Sequence, residues 1–177
     1  VIEQNTLRPE AVFDGERPVG STRDMRTWYT TRVAEPTQRS QISHIVVDSG
    51  WEKYAANVAE THPDVAAWAK NDHLGFHILY LWNGTKRKYI PDFLVRFKSG
   101  KTLVLEIKGE DSPQDQAKRR AMDQWVQAVN AQGGLGIWAW DVVVGSMAAM
   151  QDVMAKHASQ AGIDDARHSD NLTSETV

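Results

Sequence analysis

The chain contains no cysteine. That excludes disulfide staples, zinc–thiolate sites and thiol catalysis, and it suits a reducing cytoplasm, which is the expected location. No apolar run approaches the ~20 residues a bilayer span requires, so no membrane segment is expected. An excess of positive charge is also missing: 20 Lys and Arg stand against 23 Asp and Glu, a formal net charge of −3. Phosphate neutralisation supplies most non-specific nucleic-acid affinity, so a chain with this balance is expected to hold little DNA by itself. A starting methionine is lacking too, and a chain that opens on Val1 reads as a piece of a longer protein.

What remains is ordinary for a globular domain. With 177 residues, 41% hydrophobic and 24% charged, there is room for one core plus flanking segments. Residues 1–24 mix Pro9, Gly15, Pro18 and Gly20 with charges and show no periodicity, so they read as a linker or N-terminal arm. Residues 161–177 are polar and aperiodic and read as a disordered tail, which leaves a domain over 25–160.

Within it, Met25–Val33 and Ile42–Val47 are predicted strands. Ser49 caps a helix whose apolar stripe is Trp51, Tyr54, Ala55 and Val58. His62-Pro63-Asp64 is expected to open a second, short helix with Val65, Trp68 and Ala69 inward. Three strands follow as a meander, Phe76–Trp82, Lys88–Phe97 and Lys101–Lys108, the first two separated by a turn at Asn83-Gly84. Ser112-Pro113-Gln114-Asp115 starts a helix buried through Ala121, Met122, Trp125, Val126 and Val129 and stopped by Gly133-Gly134. Ile137–Val144 is a last strand, and Ser146–Ser159 a terminal helix with Met147, Met150 and Met154 inward. The expected class is α/β: a mixed sheet flanked by helices, in the order αβββαβ.

Two short motifs fall on neighbouring strands, Pro91-Asp92 and Glu106-Ile107-Lys108. Hard oxygen ligands that leave a divalent cation some waters, with an amine beside them, are what metal-assisted phosphodiester hydrolysis needs. Glu106 and Lys108, two apart on a strand, share a face. Whether Asp92 joins them depends on the intervening hairpin. A two-residue turn at Ser99-Gly100 would turn Asp92 away. A three-residue loop, Lys98-Ser99-Gly100, pairs Phe97 with Lys101 and Asp92 with Glu106, and it wants a left-handed residue where Gly100 stands. The same register puts Phe93, Val95, Phe97, Leu103, Leu105 and Ile107 together on the opposite, apolar face. A bare PD followed by ExK is common; an acid and a lysine closing so apolar a strand need a reason.

The phrases around these motifs carry a resemblance. Asp48-Ser49-Gly50-Trp51-Glu52, Trp68-Ala69-Lys70-Asn71-Asp72, Tyr89-Ile90-Pro91-Asp92-Phe93, Leu105-Glu106-Ile107-Lys108-Gly109, Lys118, Trp125-Val126-Gln127-Ala128-Val129-Asn130 and Gly136-Ile137-Trp138 resemble the C-terminal endonuclease domain of type III restriction enzyme Res subunits, over roughly residues 25–145. The resemblance implies a restriction-endonuclease-like, PD-(D/E)xK fold and Mg²⁺-dependent cleavage of double-stranded DNA, with Mn²⁺ able to substitute. It also implies an upstream helicase-like ATPase motor and a separate methyltransferase subunit. In this reading Asp92, Glu106 and the backbone carbonyl of Ile107 bind the metal and Lys108 assists the attacking water. The alternatives are a catalytically silent docking module with the same fold, or the nuclease domain of another helicase–nuclease fusion.

Other candidates have two readings each. Glu52 matches a metal-site acid carried on the first core helix of many such nucleases, and equally completes a capping box with Ser49. Lys118 either approaches a DNA phosphate or is a solvated helix lysine. Tyr89 is expected to pack. Ser99-Gly100-Lys101-Thr102 ends like a phosphate loop, but its first glycine would fall at Val95, so no nucleotide site is expected. His73 and His77 lack a third ligand, and the seven tryptophans fall mostly on apolar faces.

Overall fold

Gly100 has φ +86°, and its N–H donates to the Phe97 carbonyl at 3.0 Å, closing the loop that sets the central hairpin. These features come from a computed structural model, which describes residues 25–47, 49–108, 112–144 and 146–159 together with Thr22. The arm expected over 1–24 and the tail over 161–177 lie outside the described residues, Thr22 excepted.

In chain order the elements are β1 (Ala34–Pro36), β2 (His44–Val46), α1 (Gly50–Thr61), β3 (Val65–Lys70), β4 (Ile78–Trp82), β5 (Thr85–Tyr89), β6 (Phe93–Phe97), β7 (Lys101–Lys108), α2 (Pro113–Gln132), β8 (Ile137–Val144) and α3 (Met147–Ser159). The main sheet runs β3-β6-β7-β8, antiparallel except for the parallel β7–β8 pair, which α2 connects. The protein is therefore a mixed α/β fold. Two small two-stranded sheets, β1-β2 and β4-β5, stand apart from it.

Phe93 pairs with Leu105, Val95 with Leu103 and Arg96 with Thr102, which is the register the three-residue loop requires. Because alternate residues face opposite ways, the sheet has two apolar layers. Phe93, Val95, Phe97, Leu103 and Leu105 pack on Ala55, Ala56 and Ala59 of α1 and Met150 and Met154 of α3. On the other side Val104, with Leu94, Trp138 and Trp140, packs on Ala117, Met122 and Val126 of α2 and on Ile78, Tyr80 and Tyr89 of the β4–β5 hairpin.

Four expectations fail. The short helix after His62 is instead β3, hydrogen-bonded to β6. A register shift between Val65 and Ala67 breaks the strand's alternation, so the buried apolar residues fall at 65, 68 and 69, a spacing that imitates a helix. The strand expected over Met25–Val33 is absent: Tyr29 and Val33 are almost fully exposed, and pairing begins only at Ala34. Lys88–Phe97 is two strands, broken at Ile90-Pro91-Asp92, because Pro91 has no N–H for a ladder. The central strands following α1 are thus β3, β6 and β7, with β4–β5 inserted between the first two. Met147, expected inward, is half exposed, while Met150 and Met154 are buried.

Candidate active site

The site forms where β6 begins and β7 ends. Continuing the observed register places Asp92 opposite Glu106. The Ile107 N–H points toward the β6 side, where Asp92 Oδ2 accepts it at 2.7 Å. Neighbouring residues on a strand alternate, so Glu106 directs its own backbone toward β8. Asp92 and Glu106 therefore form a non-hydrogen-bonded pair, the kind in which opposite Cα atoms come within about 4.5 Å and side chains lie closest.

Glu106 is buried. Its Oε2 accepts from the Tyr89 hydroxyl at 3.0 Å, and its Oε1 lies 3.1 Å from Lys108 Nζ. Lys108 also reaches Asp115 Oδ1 at 2.7 Å, and Lys118 meets the same oxygen at 3.0 Å while its ammonium lies 5.6 Å from the centre of the Tyr89 ring. The tyrosine expected only to pack thus also donates to a site carboxylate, and the half-buried Lys118 belongs to the cluster. Asp115 is the residue that sequence reasoning missed. It was legible only as a first-turn acid of α2. Its Oδ2 does serve that role, accepting from the Ser112 N–H at 3.0 Å in a reciprocal capping box, while Oδ1 holds both lysines. Nothing local announces that second job, because Lys108 arrives from another element.

On the α1 side, Ser49 Oγ accepts the Glu52 N–H at 3.1 Å, so the helix-cap reading of Ser49 holds. The Glu52 carboxylate meanwhile lies 3.0 Å from Lys70 Nζ. Lys70, a second residue not singled out from sequence, is buried at the end of β3 and also binds Asp72 at 2.9 Å and the Val46 carbonyl at 2.8 Å. Its pKa is raised: burial opposes its charge, and the hydrogen bonds to Asp72 and Glu52 outweigh that.

Charge is concentrated in a dry place. Burial first, then repulsion from Glu106, pushes the Asp92 carboxyl up to about 7, although the Ile107 N–H pulls the other way and Glu52 adds further repulsion. Burial likewise raises Glu106 against the pull of Lys108 and Tyr89. For Lys108 burial disfavours the ammonium, yet Asp115 and Glu106 overcome it and hold the group protonated well above its usual range. Asp115 is held well below the carboxylate range; burial opposes its charge, but Lys108, Ser112 and Lys118 stabilise it.

A buried carboxylate, Glu106, that raises the pKa of a partly buried one, Asp92, marks a position where a cation would relieve the repulsion. The donor set suits a hard divalent ion: two carboxylates, with the Ile107 carbonyl beside them. Opposite Ile107 in register stands Pro91, which has no N–H to occupy that carbonyl. Among the described residues no cluster of three or more His, Asp or Glu is placed to cage a metal. His73 and His77 form no such group. Lys101, the lysine of the phosphate-loop-like phrase, is buried and donates to the His157 carbonyl in the last turn of α3 at 3.0 Å. No helix among the described residues is long and apolar enough to cross a membrane. No protein-family model, curated protein or solved structure matches the chain.

Proposed function

We propose that this chain is a metal-dependent DNA endonuclease domain of the PD-(D/E)xK type, the cleavage module of a type III restriction enzyme. The observation that carries the reading is the β6–β7 register, whose continuation sets the partly buried Asp92 opposite the buried Glu106 at the sheet end, with Lys108 on the same face two residues on. The element order α1-β3-β6-β7-α2-β8 supports it, since it is the αβββαβ arrangement such nucleases share.

Asp92, Glu106 and the Ile107 carbonyl would hold Mg²⁺ or Mn²⁺, which when bound stabilises charge on the phosphate and lowers the pKa of water. The chain's own groups do the rest. Tyr89 orients Glu106 through Oε2, and its hydrogen bond favours the ionised carboxylate against the effect of burial. Lys108, fully protonated between Glu106 and Asp115, supplies a fixed positive charge beside the scissile phosphate and a donor to the attacking water. Glu52, aimed by Lys70, adds negative potential next to Asp92 and favours the cation further. The helicase-like motor and methyltransferase subunit belong to this proposal as the parts that bring and select DNA.

The test is plasmid cleavage with Mg²⁺ by the full-length protein and its partner subunit, comparing wild type with Asp92→Ala and Lys108→Ala. Both variants should lose cleavage; equal activity in all three refutes the reading. Calorimetric Mn²⁺ titration of the 177-residue chain separates a nuclease, which binds the ion through Asp92, from a silent docking module, which has no cause to.

A further inference from the structure

We infer that the β4–β5 hairpin is the surface with which this chain grips the phosphate backbone of duplex DNA, through Lys86, Arg87 and Lys88. The inference rests on the nuclease reading for the identity of its partner. Its geometry stands separately.

The hairpin is a two-stranded ribbon hydrogen-bonded to no other strand. Asn83 and Gly84, at φ +49° and +72°, make the tight turn at its tip. Its inner face, with Ile78, Tyr80 and Tyr89, is buried against α2, and Tyr80 accepts a hydrogen bond from Gln114 in the first turn of that helix. The register Leu79↔Lys88 and Leu81↔Lys86 puts those four residues together on the other face, and all four are exposed. Arg87 is exposed on the inner side, two residues before Tyr89.

Three consecutive cations on a strand normally lie near carboxylates that offset them. Here no ion pair or hydrogen bond joins any of the three side chains to another described residue. Five of the described acids pair with other cations: Glu35 with Lys53, Glu52 and Asp72 with Lys70, Asp115 with Lys108 and Lys118, and Asp141 with Lys156 and His157. A chain of net charge −3 thus places three consecutive cations on one ribbon with no acidic partner among the described residues. That ribbon also leads into the site: Tyr89, the residue after Lys88, touches Glu106, and Asp92 follows three residues later. At about 3.3 Å per residue, a phosphodiester backbone lying along Lys86 to Lys88 is carried toward the paired carboxylates. Lysine and arginine on such a strand meet phosphate oxygens without reading sequence, which suits a cleavage module whose site is chosen elsewhere.

Binding of a short labelled DNA duplex to the 177-residue chain, followed by fluorescence anisotropy in EDTA over a range of salt concentrations, tests this. Removing three phosphate contacts in K86Q/R87Q/K88Q should make the slope of log K against log salt shallower by about 2 to 3, and weaken binding by about two orders of magnitude near ~0.1 M salt. K53Q, which removes an exposed lysine already paired with Glu35, should leave the slope unchanged. Unaltered thermal unfolding of the triple variant shows that the exposed substitutions leave the fold intact. An unchanged slope in the triple variant, no binding by the wild-type chain, or displacement of DNA by polyglutamate as effective as by unlabelled duplex each overturns the inference. Mn²⁺ titration reads the catalytic site separately: a triple variant that binds Mn²⁺ normally but has lost DNA supports the hairpin, whereas wild type that binds DNA through the hairpin and takes no Mn²⁺ refutes only the nuclease reading.

Discussion

Asp92→Asn should make the metal-free protein more stable at pH 8, and by a clearly smaller margin at pH 5. In the folded chain the Asp92 carboxyl is raised from 3.8 to about 7 by burial and by Glu106. That gap corresponds to about 4 kcal/mol of ionisation cost, carried by the native state wherever Asp92 is charged. Native protein binds the extra proton between about pH 4 and pH 7, so this contribution is fully present below 3.8 and lost as pH rises through 7. Asparagine is isosteric and still offers an oxygen to the Ile107 N–H, but a neutral acceptor is weaker, which returns about 1 kcal/mol. The net gain is about 2 to 3 kcal/mol at pH 8, or about 5 to 10 °C in Tm for a chain of this size. Thermal unfolding by circular dichroism at both pH values, in EDTA and in excess Mn²⁺, reads it out. Mn²⁺ should raise the wild-type Tm at pH 8 by binding the native state, and should leave the variant's Tm where it was. A variant less stable than wild type at pH 8, or stabilised equally at both pH values, would show that Asp92 is not a strained carboxylate, and the argument for a cation between Asp92 and Glu106 would fall with it.

Asp115→Asn should keep most of the α2 cap but put an amide beside Lys108, cutting cleavage by about tenfold or more and moving the alkaline limb of its pH–rate profile downward, because the pKa of Lys108 is held up chiefly by Asp115. Ser112→Ala, which breaks the cap and spares the lysines, should cost about 1 kcal/mol in urea unfolding with the profile unmoved. Gly100→Ala has space for its Cβ but must adopt φ +86°, so urea denaturation should show a loss of about 1 to 2 kcal/mol. Lys70→Met should cost about 3 kcal/mol by removing the buried cation that pairs with Glu52 and Asp72, and adding Glu52→Gln should recover part of that, a coupling that a double-mutant cycle measures.

The parts of the molecule that could be read from sequence are those whose causes are local. Gly100 specifies a loop, the loop specifies a register, and the register places Asp92 opposite Glu106 and Phe93, Val95 and Phe97 in the core. Ser112-Pro113 and Gly133 bound α2 for the same reason, since cap and stop act within one turn of the chain. The parts that could not be read depend on contacts between distant segments. β3 looks helical because its register shift disguises a strand's alternation, and only the pairing with β6 reveals it. Lys70 and Asp115 look like ordinary polar residues until the fold brings Glu52 to one and Lys108 to the other.

Pro91 explains why the site is built as it is. Reading Lys88–Phe97 as one strand treats this proline as an interruption to be tolerated, whereas the fold depends on the break. With no N–H at 91 the ladder to β7 stops at Phe93, and the chain upstream is free to leave the main sheet and fold back as the β4–β5 ribbon. That departure carries Tyr89 onto the α2 side, where its hydroxyl reaches Glu106. The Pro91 carbonyl, freed from the ladder, is taken by Asn71 Nδ2 at 2.9 Å, and the Asn71 N–H binds the Asp92 carbonyl at 2.7 Å, so the end of β3 fixes the backbone that aims Asp92. The Ile107 N–H, which a continuing strand would have satisfied, goes to the Asp92 side chain instead. One missing donor thus separates the cationic ribbon from the sheet, orients the first carboxylate and leaves a main-chain oxygen beside the second. Substituting Pro91 by alanine restores that donor; it should lengthen β6 toward β5, which hydrogen exchange would show as new protection at residue 91, and loosen the aim of Asp92 without removing any charged group.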